Sequence, residues 1–308
     1  MSDIVITEFM DQAAIDTLLS GRDVLYDPQL VDQKERLLAA LADCRALIVR
    51  NRTQVRVPLL QAAPRLQVVG RLGVGLDNID VDACDARNIK VRPASGANDL
   101  SVAEYVITAT LLLRRRAWYG TPRVAAGEWP RMDMIGKELA GAQLGLVGFG
   151  AIARLTAAKA AALGMTVAAF DPLLPDHHPA FATVSRMSFD DILSSSQVVS
   201  LHTPLNSQTR RMMDAAALKR MQHGAILINA ARGGIVDESA LAAALSSGHL
   251  GGAALDVFET EPLTLSAGTI FRNTPNLILT PHIAGVTEES NVRVSAVTAR
   301  AVVEALDA

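Results

Sequence analysis

Gly148-Phe149-Gly150-Ala151-Ile152-Ala153 follows the strand-like run Leu144–Val147 and leads into Arg154–Ala162, a stretch of strong helix formers. This is G-x-G-x-x-A between a strand and a helix. The first glycine allows a tight turn and the second lets the backbone approach a pyrophosphate, which then lies against the positive end of the helix dipole. Ala153 is small enough for close helix–strand packing. A second strand-like run, Thr166–Phe170, ends at Asp171. A carboxylate there accepts hydrogen bonds from a ribose diol and repels a 2′-phosphate. The pattern points to a dinucleotide cofactor, NAD rather than NADP.

Three later segments are too specific for packing alone: Asn229-Ala230-Ala231-Arg232-Gly233-Gly234-Ile235-Val236-Asp237, Asp256-Val257-Phe258-Glu259-Thr260-Glu261-Pro262 and Thr280-Pro281-His282-Ile283-Ala284-Gly285. With Arg71-Leu72-Gly73-Val74-Gly75-Leu76-Asp77-Asn78-Ile79-Asp80 and the Asn98/Ser101–Glu104 stretch, the chain closely resembles the NAD-dependent D-isomer-specific 2-hydroxyacid dehydrogenases. The likeness is greatest to the phosphoglycerate dehydrogenase, hydroxypyruvate reductase and sulfolactate dehydrogenase types. The motifs occur in the family's order over nearly the whole chain.

The resemblance implies that Arg232, Glu261 and His282 form the active site. A guanidinium binds the carboxylate of a 2-oxo acid through charge-assisted hydrogen bonds and polarises its ketone, which suits Arg232. A protonated imidazole neutralises the charge that hydride transfer leaves on the carbonyl oxygen, which suits His282 as acid, or as base in reverse. A nearby carboxylate favours that imidazolium and orients the ring, which suits Glu261. Taken singly, an Arg after a strand, a Glu before a Pro and one of six histidines are ordinary loop residues. The matched motifs single them out. By the same resemblance Ala151 and Ile152 place amides at the pyrophosphate, and Thr203 contacts the cofactor. Ala230 and Ala231 line its nicotinamide side, Asp256 bonds its carboxamide, and Gly285 joins the cofactor shell. The backbone at Val74 and Gly75 is a second anchor for the substrate carboxylate. Two positions depart from the family's habit: Val74 replaces a polar residue, and Ala151 replaces an arginine. Arg50-Asn51-Arg52-Thr53 resembles the loop that supplies anion-binding groups in phosphoglycerate dehydrogenases, so a charged substituent on the substrate's third carbon is expected, with neutral hydroxypyruvate as the other option.

Short Val/Ile/Leu runs alternating with Ala/Leu-rich helical stretches must position these residues, the pattern of parallel βαβ units and hence an α/β fold. Strands are expected at Ile4–Thr7, Ala46–Val49, Gln67–Gly70, Gln143–Val147, Thr166–Phe170, Val198–Leu201, Ile226–Asn229 and Leu277–Leu279. A helix from Asp99 to about Leu113 precedes Arg114-Arg115-Arg116, where a helix C-terminus favours cations. The stretch Trp118–Gly136 has no periodicity. The resemblance implies two Rossmann-like domains: a flavodoxin-like substrate domain, 1–98 plus 283–308, and an NAD-binding domain, 99–282, with the active site in the cleft between them. It also reads the long helix and Trp118–Gly136 as a dimerisation arm, so a homodimer is expected.

The 308 residues carry 29 basic and 32 acidic side chains, net charge −3. No Lys/Arg block stands out, so neither nucleic acid nor a membrane is an expected partner. The N-terminus lacks the positive charge of a signal peptide and no run of about eighteen apolar residues occurs, which points to the cytoplasm. Cys44 and Cys84 have no CxxC partner and read as reduced, structural thiols, and no metal site is expected. With the sequence ending at Ala308, the C-terminal regulatory domain of longer phosphoglycerate dehydrogenases is not expected. Two other readings share the fold: an NAD-controlled corepressor-like binding module, and a formate or phosphite dehydrogenase.

Overall fold

Apolar runs without alternation are buried on both faces, as the strands of parallel sheets are. The structure, a computed structural model, describes residues 2–308. The chain divides into two compact units, Met1–Asn98 with Val286–Ala308, and Asp99–Gly285. The expected return point, Ile283, lies three residues early (286 − 283) because the amides of Ile283 and Ala284 are tied to Asp256 in the second unit.

The first unit holds β1 (Ile4–Ile6), β2 (Val24–Tyr26), β3 (Ala46–Val49), β4 (Val68–Arg71) and β5 (Lys90–Pro93). They pair in parallel in the order β2-β1-β3-β4-β5, the flavodoxin-like arrangement. Successive residues face opposite sides: Ile4, Ile6 and Ile48 join one core, Val5, Leu47 and Val49 the other. The helix Glu288–Asp307 covers the first of these, capped by Thr287, whose hydroxyl accepts from the Ser290 amide at 3.0 Å. Cys44 and Cys84 lie fully buried on the other side, and burial pushes the Cys44 thiol up to about 12.

The second unit holds β6 (Gln143–Val147), β7 (Thr166–Phe170), β8 (Ser185–Arg186), β9 (Val198–Leu201), β10 (Ile226–Asn229), β11 (Gly252–Leu255) and β12 (Leu277–Leu279). Their order, β12-β11-β10-β9-β6-β7-β8, is entirely parallel. Counted within the unit it is 3-2-1-4-5-6 with a seventh strand added, the doubly wound order of dinucleotide-binding sheets. All eight expected strands form, within a residue at their ends. β2, β5, β8 and β11 come in addition.

The helix Asp99–Arg115 ends on its basic residues, and Arg114 Nε donates to the Glu138 carbonyl at 2.9 Å. The stretch expected to be structureless contains a short helix, Thr121–Ala125, with proline in its first turn. Among the described residues no helix is long and apolar enough to cross a membrane.

His202 follows β9, its Nε2 3.0 Å from Ser200 Oγ, and burial pulls its imidazole down to about 4. The unfolded chain therefore binds a proton that the folded chain refuses, and stability falls as pH drops from about 6.5 toward 4. Because His202 as a residue is only partly buried, the expected loss is on the order of 2 kcal/mol rather than the full shift. Urea unfolding at pH 7 and pH 4.5 should show this loss in the wild type and a smaller one in His202→Asn.

Candidate active site

The strand order reverses between β6 and β9, which opens a crevice beyond their carboxyl ends. The Gly148–Ala153 turn sits there. Gly148 has φ +90°, and a Cβ on it would lie 2.6 Å from the His202 carbonyl oxygen, so only glycine lets the turn pass β9 this closely. Gly150 caps the helix Ala151–Ala162, and a Cβ placed on it meets no atom within 4 Å. The first amides of that helix, Ala151 and Ile152 among them, have no acceptor within the helix. Thr203 Oγ1 is buried beside this turn and has no hydrogen-bond partner among the described residues. Asp171 stands at the end of β7, where Oδ2 accepts from the Phe149 amide at 2.8 Å and Oδ1 from the Leu173 amide at 2.9 Å. Those bonds fix the carboxylate and leave acceptor capacity for a diol. An open helix N-terminus, an orphaned hydroxyl and an anchored acid fit a dinucleotide.

Arg232 leaves β10 through a turn clamped by Asn229. The buried Asn229 side chain accepts from the Ala231 amide at 3.1 Å and donates to the Arg232 carbonyl at 2.9 Å. A Cβ on Gly233 would fall 1.7 Å from the Phe258 carbonyl oxygen, so the Arg232 turn lies directly against the loop after β11. That loop carries Glu261. Glu261 Oε1 accepts from the Phe258 amide at 3.0 Å, and Oε2 lies 2.7 Å from His282 Nδ1. Burial opposes ionisation of Glu261, but the hydrogen bonds from His282 and Phe258 and the charges of His282 and Arg232 outweigh it. They hold its carboxyl below the usual range. With Nδ1–H directed at the carboxylate, the opposite ring nitrogen, Nε2, is left to handle a proton.

His282 has a left-handed backbone, φ 58°. Its amide donates to the Asp256 carbonyl at 2.8 Å. The Asp256 carboxylate, 1% exposed, takes the Thr280 hydroxyl at 2.6 Å and the Ile283 and Ala284 amides at 2.8 and 2.7 Å. Tyr105 OH lies 2.6 Å from Thr280 Oγ1. Burial pushes the Asp256 carboxyl up against the pull of these bonds and of His282. The expected contact of Asp256 with a carboxamide thus shares a carboxylate already engaged by three donors, whose visible work is to shape the His282 segment. Gly285 closes that segment.

The second unit thus gathers Arg232, Glu261 and His282, and sets Ala230 and Ala231 in the same turn. Of the residues expected on the substrate side, Arg232 and His282 are among these, and the remaining five fall in the first unit. Arg50, Asn51 and Arg52 follow β3, and Val74 and Gly75 follow β4, its hydrogen-bonded neighbour, so the two loops share one end of the sheet. Asn229, Thr280 and Tyr105 escaped the sequence reading. Asn229 and Thr280 each stand at the head of a segment already singled out, the only signal available for either.

A parallel sheet wound this way around a glycine turn defines the class of dinucleotide-binding α/β folds. Residues 107–284 match the model of the D-isomer specific 2-hydroxyacid dehydrogenase NAD binding domain. The chain is 56% identical over 299 residues to an (S)-sulfolactate dehydrogenase of Chromohalobacter salexigens, covering 97% of this chain and 96% of that one. It is 39% identical over 293 residues to a D-3-phosphoglycerate dehydrogenase of Mycobacterium leprae, covering 94% of this chain and 55% of that protein, so it spans about half the length of that relative. A crystal structure of D-lactate dehydrogenase from Aquifex aeolicus, complexed with NAD and lactic acid, superposes with a TM-score of 0.86 at 26% identity, covering 99% and 95% of the two chains. The chain belongs to the D-isomer-specific 2-hydroxyacid dehydrogenase family, and it is an NAD-dependent oxidoreductase of CH–OH groups.

If Asp171 is the ribose acceptor that its position suggests, Asp171→Ala should weaken NADH binding about tenfold and narrow the preference over NADPH, because a diol acceptor and a charge opposing a 2′-phosphate are both lost. Fluorescence titration with the two reduced dinucleotides measures both effects.

Proposed function

We propose that the chain interconverts a small 2-hydroxy acid and its 2-oxo acid in which the third carbon carries a charged group, of the sulfolactate type. The observation that carries the reaction is the 2.7 Å contact of His282 with Glu261, with Arg232 close enough to lower the Glu261 carboxyl. Arg232 binds the carboxylate of the acid and draws electron density from the adjacent carbonyl. NAD(H), when bound, supplies hydride to the second carbon or takes it back. His282 gives the proton from Nε2 to the carbonyl oxygen during reduction and recovers it during oxidation. Glu261 stays ionised, fixes the ring and faces the imidazolium. Gly150, Ala151, Ile152, Thr203 and Asp171 hold the dinucleotide, and the amides at Val74 and Gly75 serve the substrate carboxylate. Met1–Asn98 with Val286–Ala308 is the substrate domain and Asp99–Gly285 the NAD-binding domain in this reading.

The charged substituent is supported by the Arg50–Thr53 loop and by the sulfolactate dehydrogenase likeness. Arg52 is ion-paired with Asp32. Arg50 bonds the neutral Asn291 side chain, and its guanidinium lies 5.8 Å from the Phe9 ring centroid. Burial lowers its pKa against the pull of Glu8. Arg50 is therefore the better candidate for a substrate anion than Arg52. A homodimer belongs to the same proposal, supported by Trp129, Met132 and Ile135, which stand 81%, 74% and 59% exposed in the Trp118–Gly136 stretch.

NADH oxidation with 3-sulfopyruvate, 3-phosphohydroxypyruvate, hydroxypyruvate and pyruvate tests the reading. His282→Ala should lower kcat by about 10²–10⁴ with NADH affinity unchanged. Arg50→Ala should raise KM about tenfold or more for 3-sulfopyruvate and leave pyruvate unaffected, whereas Arg52→Ala does less. Tight NADH binding without turnover of any oxo acid would move the chain to the binding-module reading. Light scattering should give a dimer mass, reduced to a monomer by Trp129→Asp with Ile135→Asp.

A further inference from the structure

Glu8 is an acid where none is needed for the sheet. It follows β1 and is only 5% exposed. β1 pairs with β3 in the register Ile6↔Ile48, so two residues further on Glu8 comes level with Arg50. Its carboxylate is not paired with that guanidinium. Oε1 accepts from the amides of Arg50 and Thr53, both at 2.9 Å, and Oε2 from those of Asn51 and Arg52, at 3.2 and 3.0 Å. Four consecutive backbone N–H groups thus converge on one internal carboxylate. The carbonyls of the same loop are also engaged: Asn78 Nδ2 donates to those of Arg50 and Thr53 at 3.2 and 2.7 Å. Thr7 and Thr53 hydroxyls meet at 2.8 Å.

Convergent amides of this kind are what a loop commonly offers to a phosphate or sulfonate. Here the chain itself occupies them. We infer that Glu8 is the positioning residue of the Arg50–Thr53 loop: it closes the amide nest to substrate and fixes the backbone from which the Arg50 side chain reads the third-carbon anion. The anion is then recognised by guanidinium chemistry alone, and its affinity depends on a carboxylate that it never touches. This inference rests on the proposed charged substituent.

Glu8→Gln tests it with little change in size. The amide NH₂ would face two N–H donors, leaving that half of the nest unpaired. Amide exchange at the exposed Asn51 and Arg52 should accelerate at least tenfold relative to wild type. KM for 3-sulfopyruvate should rise about tenfold while kcat, the KM for pyruvate and the NADH dissociation constant stay within about twofold. Glu8→Asp should recover part of both effects, and it serves in place of the glutamine variant if that fails to fold. Unchanged exchange, or a KM that rises equally for both oxo acids, overturns the inference. Accelerated exchange with unchanged KM for 3-sulfopyruvate overturns it too, provided Arg50→Ala raises that KM. If Arg50→Ala leaves the preference for 3-sulfopyruvate over pyruvate as it was, the charged-substituent reading fails instead, and exchange alone still decides whether Glu8 holds the loop.

Discussion

A single buried carboxylate sets the geometry on which the proposed chemistry depends. Asp256 directly follows β11 and collects the Thr280 hydroxyl and the amides of Ile283 and Ala284, while its carbonyl takes the His282 amide. A residue other than glycine in the left-handed region is costly and persists only where its surroundings over-determine it. These bonds supply that determination for His282. Without them the turn after β12 would have no reason to direct the imidazole at Glu261. The cost of burying the charge is offset by donors on three sides, which is how a sheet strand's end becomes a rigid mount for a side chain on another segment.

The same device recurs at different scales. Asp171 is fixed by two amides before it meets any ligand, and Glu8 by four. Asn229 clamps the Arg232 turn from both its carbonyl and its amide sides. In each case a polar side chain at the carboxyl end of a parallel strand satisfies backbone groups that the sheet leaves over. Preorganisation in this fold thus comes from the ends of strands, where ligands of open α/β sheets bind.

Much of this was legible in the sequence. The eight strands rich in Val, Ile and Leu, the glycine turn with Asp171, and the three motif segments all stand where they were expected. β11 escaped because Gly252-Ala253-Ala254-Leu255 has little strand propensity, and its membership in the sheet is decided by burial between β10 and β12. β8 is two residues long and presents no periodicity. The Glu8 nest and the Tyr105–Thr280–Asp256 chain were illegible for another reason. Their partners lie 24 to 175 residues apart and meet only through register and packing. A sequence displays the residues of a site more readily than the residues that hold the site still.

The two cysteines have an experimental consequence. Cys44 and Cys84 are both fully buried and both belong to the first unit. A thiol-modifying reagent can reach them only when that unit opens, and the second unit has no cysteine to respond. The chain therefore carries a built-in reporter that distinguishes loosening of the Arg50 side of the molecule from loosening of the His282 side, with no label added.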